Sequence, residues 1–493
     1  MKPRGFSIRT LIAIGTVSSL ALAVGMVYAQ APGGSGRGGR GGGGGRGAGA
    51  PMATAVDTNN NDAVTRDELK SAFDAWYSAA DKAKSNAVTE FQLQVALTPV
   101  FNQAKPADVS AMEAALPSAP AAKPVRAHKV LVFGNAAGFI HSSIPLAAKT
   151  VEELGKKGNL WTTTITYDPA DINAANLKQY DLIFLDSTTG CFLDDPKDPA
   201  ATAARRKAFM DFVDGGKGIA GIHAASDSYH TDCSKGGGAG GSANPVTAAH
   251  LIMAQGDTNG DQKLSRQEID ALAASWFDKL DTSKAGTISR EDFATRFNAS
   301  ISPAPAGGGF GGFGGRGRSG GGRGRAQTAA ATEKRVPEGQ TPPGTVLDWP
   351  AFNKLIGGYF KFHWTYPQLI TVKIDDPNSP LTAMFHGQEF EIHDETYTFA
   401  QDSFSRKNVH MLTSVDYSKM SDADKAKEPI ATGRTDGDYA LSYIHKQGKG
   451  RVFYEAHGHD EKIYAMTPML EHVRAGIQYA LGDLKADDSP SQK

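Results

Sequence analysis

Lys129-Val-Leu-Val-Phe133, Asp181-Leu-Ile-Phe-Leu-Asp186 and Lys217-Gly-Ile-Ala-Gly-Ile-His223 are three short apolar runs with no helical period. Runs of this length and composition read as strands buried on both faces. Between them, Ser143–Leu154 and Thr202–Val213 carry the 3.6-residue periodicity of helices, and the threonine-rich Leu160–Tyr167 reads as a further strand. Strands alternating with helices predict an α/β fold, a mostly parallel sheet flanked by helices. Ligands of such sheets bind beyond the carboxyl ends of the strands, so the residues following each strand carry the functional interest.

Outward from this segment the pattern changes. Gly236–Gly241 is a spacer, Pro245–Gln255 is helical, and a second helical unit runs to about Phe297. Apolar patterning resumes at Val346, with a helix over Trp349–Gly358, strands over Gln368–Ile374 and Arg451–Ala456, and a terminal helix over Met466–Leu481. The economical organisation is one α/β domain, residues 127–243 and 346–484, interrupted by an all-α insertion at 244–300 and a Gly/Arg-rich linker at 301–345. Upstream lie a Gly/Arg-rich linker at 30–50, a helical pair at 51–97 and an Ala/Pro linker at 98–126; 485–493 is a tail.

Of the 56 glycines in 493 residues, 24 fall in Gly33–Gly49 and Gly307–Gly324, so the unusual composition is local. Those tracts, with Arg325 directly after the second, hold seven arginines and no acids, and the first 29 residues hold Lys2, Arg4 and Arg9 and no acids. Ten positive charges therefore sit outside the folded parts, which carry −11 of the overall −1. Acidic domains joined by basic linkers argue against a nucleic-acid-binding surface and suit cation binding. The basic start, the apolar run Leu11–Val27 and the small-x-small Val27-Tyr28-Ala29 predict a signal peptide over residues 1–29, cleaved after Ala29. The mature protein is then expected to be periplasmic or secreted, without a stable membrane span. Cys191 and Cys233, each a few residues past a strand, suit a disulfide in an oxidising compartment, with two free thiols as the alternative.

A twelve-residue EF-hand loop presents oxygens at positions 1, 3, 5, 7, 9 and 12 because calcium takes six to eight oxygen ligands. Asp257, Asn259, Asp261, the Lys263 carbonyl, Ser265 and Glu268 fill this scheme, with Gln262 where glycine is usual. Asp57, Asn59, Asn61, the Ala63 carbonyl, Thr65 and Glu68 fill it a second time, with Asp62 at the glycine position. Each loop has a poorer neighbour at EF-hand spacing. Asp281, Ser283, Thr287 and Asp292 form a loop lacking a side-chain ligand at position 5, and the loop beginning at Asp81 has Gln92 in place of the terminal carboxylate. Two sequence-local helix–loop–helix pairs binding calcium are expected.

The α/β segments resemble the trehalose-utilisation (ThuA-like) family, whose fold is similar to that of class I glutamine amidotransferases. The residues that carry the resemblance are Lys129–Phe133 leading to Phe139-Ile-His141, Tyr180-Asp181-Leu-Ile-Phe, and Gly215-Gly-Lys-Gly-Ile-Ala-Gly-Ile-His223. Gly357-Gly-Tyr-Phe-Lys-Phe-His363, Asp394-Glu395-Thr-Tyr397 and Gly448-Lys-Gly-Arg451 through Gly458-His459 complete it. Tyr439-Ala-Leu-Ser-Tyr443 departs from the family's strand at that place, lacking its proline and tryptophan, and the long insertion between His223 and His363 is also atypical. His223 occupies the turn where the amidotransferases carry their cysteine nucleophile, which excludes glutamine hydrolysis through a thiolate if that alignment holds.

His141, His223, His363 and His459 are expected in loops after strands or in glycine-flanked turns, with Glu395 and Asp394 adding carboxylate. Imidazoles with a carboxylate serve either a transition-metal site or an acid–base site, and both alternatives stay open. Arg451 and Tyr454 contact sugar hydroxyls or pack the strand. The resemblance implies action on a sugar or oxidised sugar derivative; the residues themselves suggest His223 as acid or base, with His141, His363, Glu395 and His459 lining or ligating. The alternative is a non-catalytic, calcium-dependent carbohydrate-binding or scaffolding module. The sequence carries no signal of oligomeric state.

Overall fold

The computed structural model describes residues 48–195, 197–233, 244–302, 346–429 and 433–491. The signal-peptide reading and both Gly/Arg tracts lie outside the described residues, apart from their edges. Among the described residues no helix is long and apolar enough to cross a membrane.

The chain begins with α1 (Gly49–Val56), β1 (Ala63–Thr65), α2 (Arg66–Ala80), α3 (Glu90–Phe101) and α4 (Pro106–Ala115). The α/β part follows with β2 (Lys129–Phe133), α5 (Ile144–Lys157), β3 (Thr162–Thr166), α6 (Ala174–Leu177), β4 (Leu182–Asp186), α7 (Pro199–Asp214) and β5 (Gly218–Ile222). The insertion holds α8 (Asn244–Gly256), α9 (Arg266–Leu280), β6 (Thr287–Ser289) and α10 (Arg290–Ser300). The second α/β segment holds α11 (Pro350–Ile356), β7 (Phe360–Ile374), β8 (Phe390–Phe399), β9 (His410–Val415), α12 (Asp422–Lys425), β10 (Ala440–Gln447), β11 (Gly450–Glu455) and α13 (Thr467–Leu481).

Nine strands form one sheet in the order β3-β2-β4-β5-β11-β10-β9-β7-β8. The first five are parallel, as the alternation of strands and helices requires. The other four continue the sheet antiparallel, which makes it mixed and more antiparallel than expected. The sequence reading missed this half because it recognised only the end of β7 and none of β8 or β9. Alternation along β2 and β4 feeds two cores. Leu131, Phe133, Ile183 and Leu185 pack with Phe209 and Phe352 on one face, and Val130, Val132, Leu182 and Phe184 pack with Val151 and Ile477 on the other.

Residues 98–126 are not a free linker. They finish α3, form α4 with Met112 buried, and then lie along α13. There the Gln478 side chain accepts from the Ala121 amide at 3.0 Å, and Arg474 donates to the Pro117 carbonyl at 3.3 Å. Alanine-rich composition masked this segment because its contacts are made mainly by backbone.

The two helical segments also depart from two sequence-local pairs. β1 pairs with β6, Val64 opposite Ile288, and Val88 bridges to Leu264. Each loop richer in candidate oxygen ligands is thus paired with the poorer loop of the other segment. Leu69, Phe73, Trp76 and Leu93 share a single core with Ile252, Ile269, Trp276 and Phe297. The cause is an internal repeat: Asp57, Glu68, Arg66 and Trp76 recur two hundred residues later as Asp257, Glu268, Arg266 and Trp276. The two copies embrace reciprocally, Arg66 lying over the Phe277 ring at 4.8 Å and Arg266 over the Tyr77 ring at 4.5 Å. Neither copy alone encloses its apolar helix faces, so each covers the other.

All four loops share one backbone form. Asp57, Asp81, Asp257 and Asp281 each accept the amides four and five residues on. At the position where glycine is usual, Asp62, Asn86 and Gln262 adopt φ of 62°, 55° and 61°, beside Gly286 at 76°. The missing glycines therefore do not prevent the turn; they cost about 1 kcal/mol of strain each.

Candidate functional site

β5 ends at Ile222, and His223 turns the chain at φ 46° into the short 3-10 turn His223–Ser226. That left-handed conformation directs the imidazole out beyond the carboxyl end of the sheet. Two bonds hold it. The Tyr454 hydroxyl donates to the His223 carbonyl at 2.6 Å, and His223 Nδ1 donates to the Ala456 carbonyl at 2.9 Å. A carbonyl only accepts, so Nδ1 carries a proton, and in the neutral imidazole Nε2 is the nitrogen that presents a lone pair. Tyr454 is buried and thus positions His223 rather than meeting a sugar, and Arg451 lies at the opposite end of β11.

His141 lies in the loop after β2, buried, with Nε2 at 3.2 Å from His223 Nε2. The Asn102 side chain, at the end of α3, approaches the His141 carbonyl at 3.5 Å, so the helical unit abuts the loop that carries this histidine. His459 follows β11. Its loop is anchored by Asp394, whose carboxylate accepts the amides of Gly458 at 2.7 Å and Asp460 at 3.0 Å. Successive residues of a strand face opposite ways, so the Asp394 anchor on β8 presents Glu395 to the histidines. Asp394 is therefore a support and does not add a carboxylate to the cluster.

Glu395 is the hub. His459 Nδ1 is 3.0 Å from Oε2, His223 Nε2 is 3.5 Å from Oε2, and His363 Nδ1 is 3.0 Å from Oε1. His363 corrects the sequence reading: it lies within strand β7, opposite Tyr397, not in a glycine-flanked turn. Aromatic rings wall the cluster, with Tyr397 4.4 Å from the His223 ring and Tyr366 6.3 Å from the His459 ring. His363 and His459 keep 33% and 27% of their side chains exposed, while His223 has none, so the cluster opens on one side only.

Burial raises the Glu395 carboxyl, but His223, His363 and His459 outweigh it and hold it well below the usual carboxylate range. His141 is pushed well below its ordinary value, first by burial and then by the neighbouring histidines. Burial lowers His459, yet Glu395 raises it further, and the net direction is up. The sequence reading also passed over Asp186, buried at the end of β4 beside the His223 turn with neither oxygen hydrogen-bonded by a side chain. Burial pushes that carboxyl well above its ordinary range, against the lowering effect of the Ala148 backbone. Its signal was its place as the last residue of a buried strand.

His457 does not join His459 across the His-Gly-His run. It turns inward to Glu455 at 2.6 Å, and Glu455 also meets His472 of α13 at 3.2 Å. Burial pushes Glu455 up, and the two histidines more than offset this, bringing it down to about 2. Burial lowers His457 while Glu455 raises it, for a net upward shift. The carboxylate contributes stability above its unfolded value near 4.5, lost as pH falls toward about 2. The imidazole contributes below its unfolded value of 6.5, lost as pH rises through its higher folded value. Thermal unfolding across pH is expected to show greatest stability between these limits, and Glu455→Gln to flatten both flanks of that profile.

The calcium-ligand candidates are placed as follows. Glu268 binds the Ser265 amide and the Thr258 amide through its two oxygens, 2.9 and 3.1 Å, and Asp257 gathers the loop amides. In the other well-filled loop the buried Asp57 is paired with Arg290, contributed by the insertion. Asn59, Asn61, Ala63, Thr65 and Glu68 follow it in the shared form, as do Asn259, Asp261, Lys263 and Ser265 after Asp257. Ser283 bonds Asp281, Thr287 lies in β6, and Asp292 reaches Arg296 at 3.4 Å. Cys191 and Cys233 form a disulfide. A cleft of about 490 Å³ lined by Asn353, Tyr359, Asp402 and His445 shares no residue with the histidine cluster.

These features define an α/β protein with a mixed sheet and a buried histidine–carboxylate cluster beyond its parallel strands. The chain belongs to the ThuA family, described as trehalose utilisation, whose model matches residues 129–280 and 343–480, more than half of its length. Among solved structures it is similar to a ThuA-like protein from Bacteroides uniformis ATCC 8492, at 16% identity and a TM-score of 0.38, covering 76% of this chain and 96% of that one. A ThuA-like protein from Parabacteroides merdae ATCC 43184 follows at 12% identity and 0.34, covering 73% and 93%. A β-galactosidase from Bacillus circulans sp. alkalophilus is similar at 9% and 0.28, covering 73% of this chain and 32% of that one. No curated protein matches the chain.

Proposed function

We propose that this is an exported, calcium-binding enzyme of the ThuA family that acts on a sugar or oxidised sugar derivative at the Glu395 cluster. The observation that carries the reading is the meeting of His223, His363 and His459 on one carboxylate, with His141 behind them, beyond the carboxyl ends of parallel strands. One-sided exposure lets a ligand enter, while fixed imidazoles beside an ionised carboxylate supply acid–base chemistry. Membership of a trehalose-utilisation family supports carbohydrate utilisation. The Cys191–Cys233 bridge supports an oxidising compartment, and with it cleavage of residues 1–29 on export.

The shared loop form supports EF-hand calcium binding, strongest at Asp257–Glu268. Arg290 already neutralises Asp57, so the loop starting there is the weaker of the two well-filled ones. The test incubates the full mature chain with trehalose, other disaccharides and their keto derivatives, following products chromatographically and binding by calorimetry, with and without calcium. Product formation from a sugar is expected. Sugar binding without any turnover would make the protein a carbohydrate-binding module instead.

A further inference from the structure

We propose that His141, His223, His459 and Glu395 together hold one divalent transition-metal ion. The inference rests on placing the reaction centre at this cluster, and not on the identity of the sugar. One ligand atom from each of the four residues lies within 4.8 Å of all the others. The nearest separations are 3.0 Å for His459 and Glu395, 3.2 Å for His141 and His223, and 3.5 Å for His223 and Glu395. Neighbouring donors on one ion, each about 2.1 Å from it, stand roughly 3.0–3.4 Å apart at right-angled to tetrahedral geometry. These three separations are close to those of neighbouring ligands around a shared centre.

Directions agree with distances. His459 Nδ1 is buried and within 3.0 Å of a carboxylate oxygen, yet it makes no aligned hydrogen bond to it. His223 directs Nδ1–H to the Ala456 carbonyl, so in the neutral ring a metal requires, Nε2 is a bare donor pair facing His141 and Glu395. A second-sphere carbonyl fixing a ligating imidazole in this way is the usual companion of a metal site. Three nitrogens and one carboxylate favour zinc, iron, cobalt or nickel over calcium or magnesium, which prefer oxygen alone. His363 touches the other Glu395 oxygen and lies outside the group, so it is a positioning residue for the carboxylate. The side left partly exposed by His363 and His459 is where a substrate oxygen would reach the ion.

The opposing arrangement has no ion: the two Nε2 atoms share a hydrogen, and the cluster relays protons to Glu395. Untagged full-length protein, stripped with a chelator and returned to millimolar calcium so that the loops are filled, is titrated with Co²⁺ and followed by visible absorption. One saturable equivalent with ligand-field bands is expected, displaced by Zn²⁺. His459→Ala and Glu395→Gln, chosen because neither empties the core, are each expected to weaken it by about 100-fold or more. Their circular dichroism and melting profiles confirm the fold. Absence of saturable binding, or binding unchanged in both variants, overturns the proposal in favour of the proton relay. Sugar turnover together with an absence of saturable metal binding would remove the metal and leave the carbohydrate reading intact; metal binding without any sugar ligand would do the reverse.

Discussion

His223→Asn is expected to lower turnover by about 10²–10⁴-fold while ligand affinity stays within about tenfold, the range lost with one positioned acid or base, and by no less where the same lone pair holds an ion. Asparagine is the informative replacement. Residue 223 has φ 46°, a region that asparagine enters more readily than most residues, and its amide still donates to the Ala456 carbonyl. The turn and its anchors to Tyr454 and Ala456 therefore survive, and only the lone pair facing His141 and Glu395 is lost. Steady-state kinetics on the substrate found by screening, with calorimetric affinity for the same sugar, separate the two effects. A parallel loss of affinity with unchanged turnover would assign His223 to binding and not to chemistry.

Trp276→Ala is expected to cost about 3–5 kcal/mol of the helical unit's stability, the range for truncating a fully buried aromatic side chain. Trp276 is fully buried, with its ring edge-on to Phe73 at 5.3 Å and to Phe297 at 5.2 Å, and its Nε1 donates to the Gln255 side chain at 3.0 Å. Phe73 belongs to the N-terminal segment. A lesion in the insertion should therefore release both segments together, and limited proteolysis should open residues 48–101 as readily as 244–302 while the α/β sheet persists. Cleavage confined to 244–302 would restore two independent pairs. The wild-type protein provides the baseline, and Trp76→Ala, the counterpart in the other copy, should behave alike.

How far the site was legible follows from particular residues. His141, His223 and His459 lie beyond the ends of β2, β5 and β11, positions that are legible because a buried apolar run announces where its strand stops. His363 was misplaced because Gly357-Gly358 before it looked like a turn, whereas β7 starts directly afterwards and carries the histidine inside a strand. Asp394 and Glu395 were indistinguishable as adjacent carboxylates. Only the pleat of β8 and the amides of the Gly458–Asp460 loop show that one anchors and the other faces the cluster.

The strand–helix alternation and the four loop signatures were determined by sequence alone, because periodicity and ligand spacing are local properties of the chain. The tertiary structure decided what local spacing does not contain. Loops at Asp57 and Asp81 stand at the right distance to pair with each other, yet each pairs with a loop about two hundred residues away. Sequence proximity favours the near partner only by loop-closure entropy, which grows slowly with chain length. Burying Trp76, Phe73 and Trp276 in one shared core outweighs it. The same holds at Glu395, where residues from five separate places in the chain meet, brought there by the order of strands in the sheet.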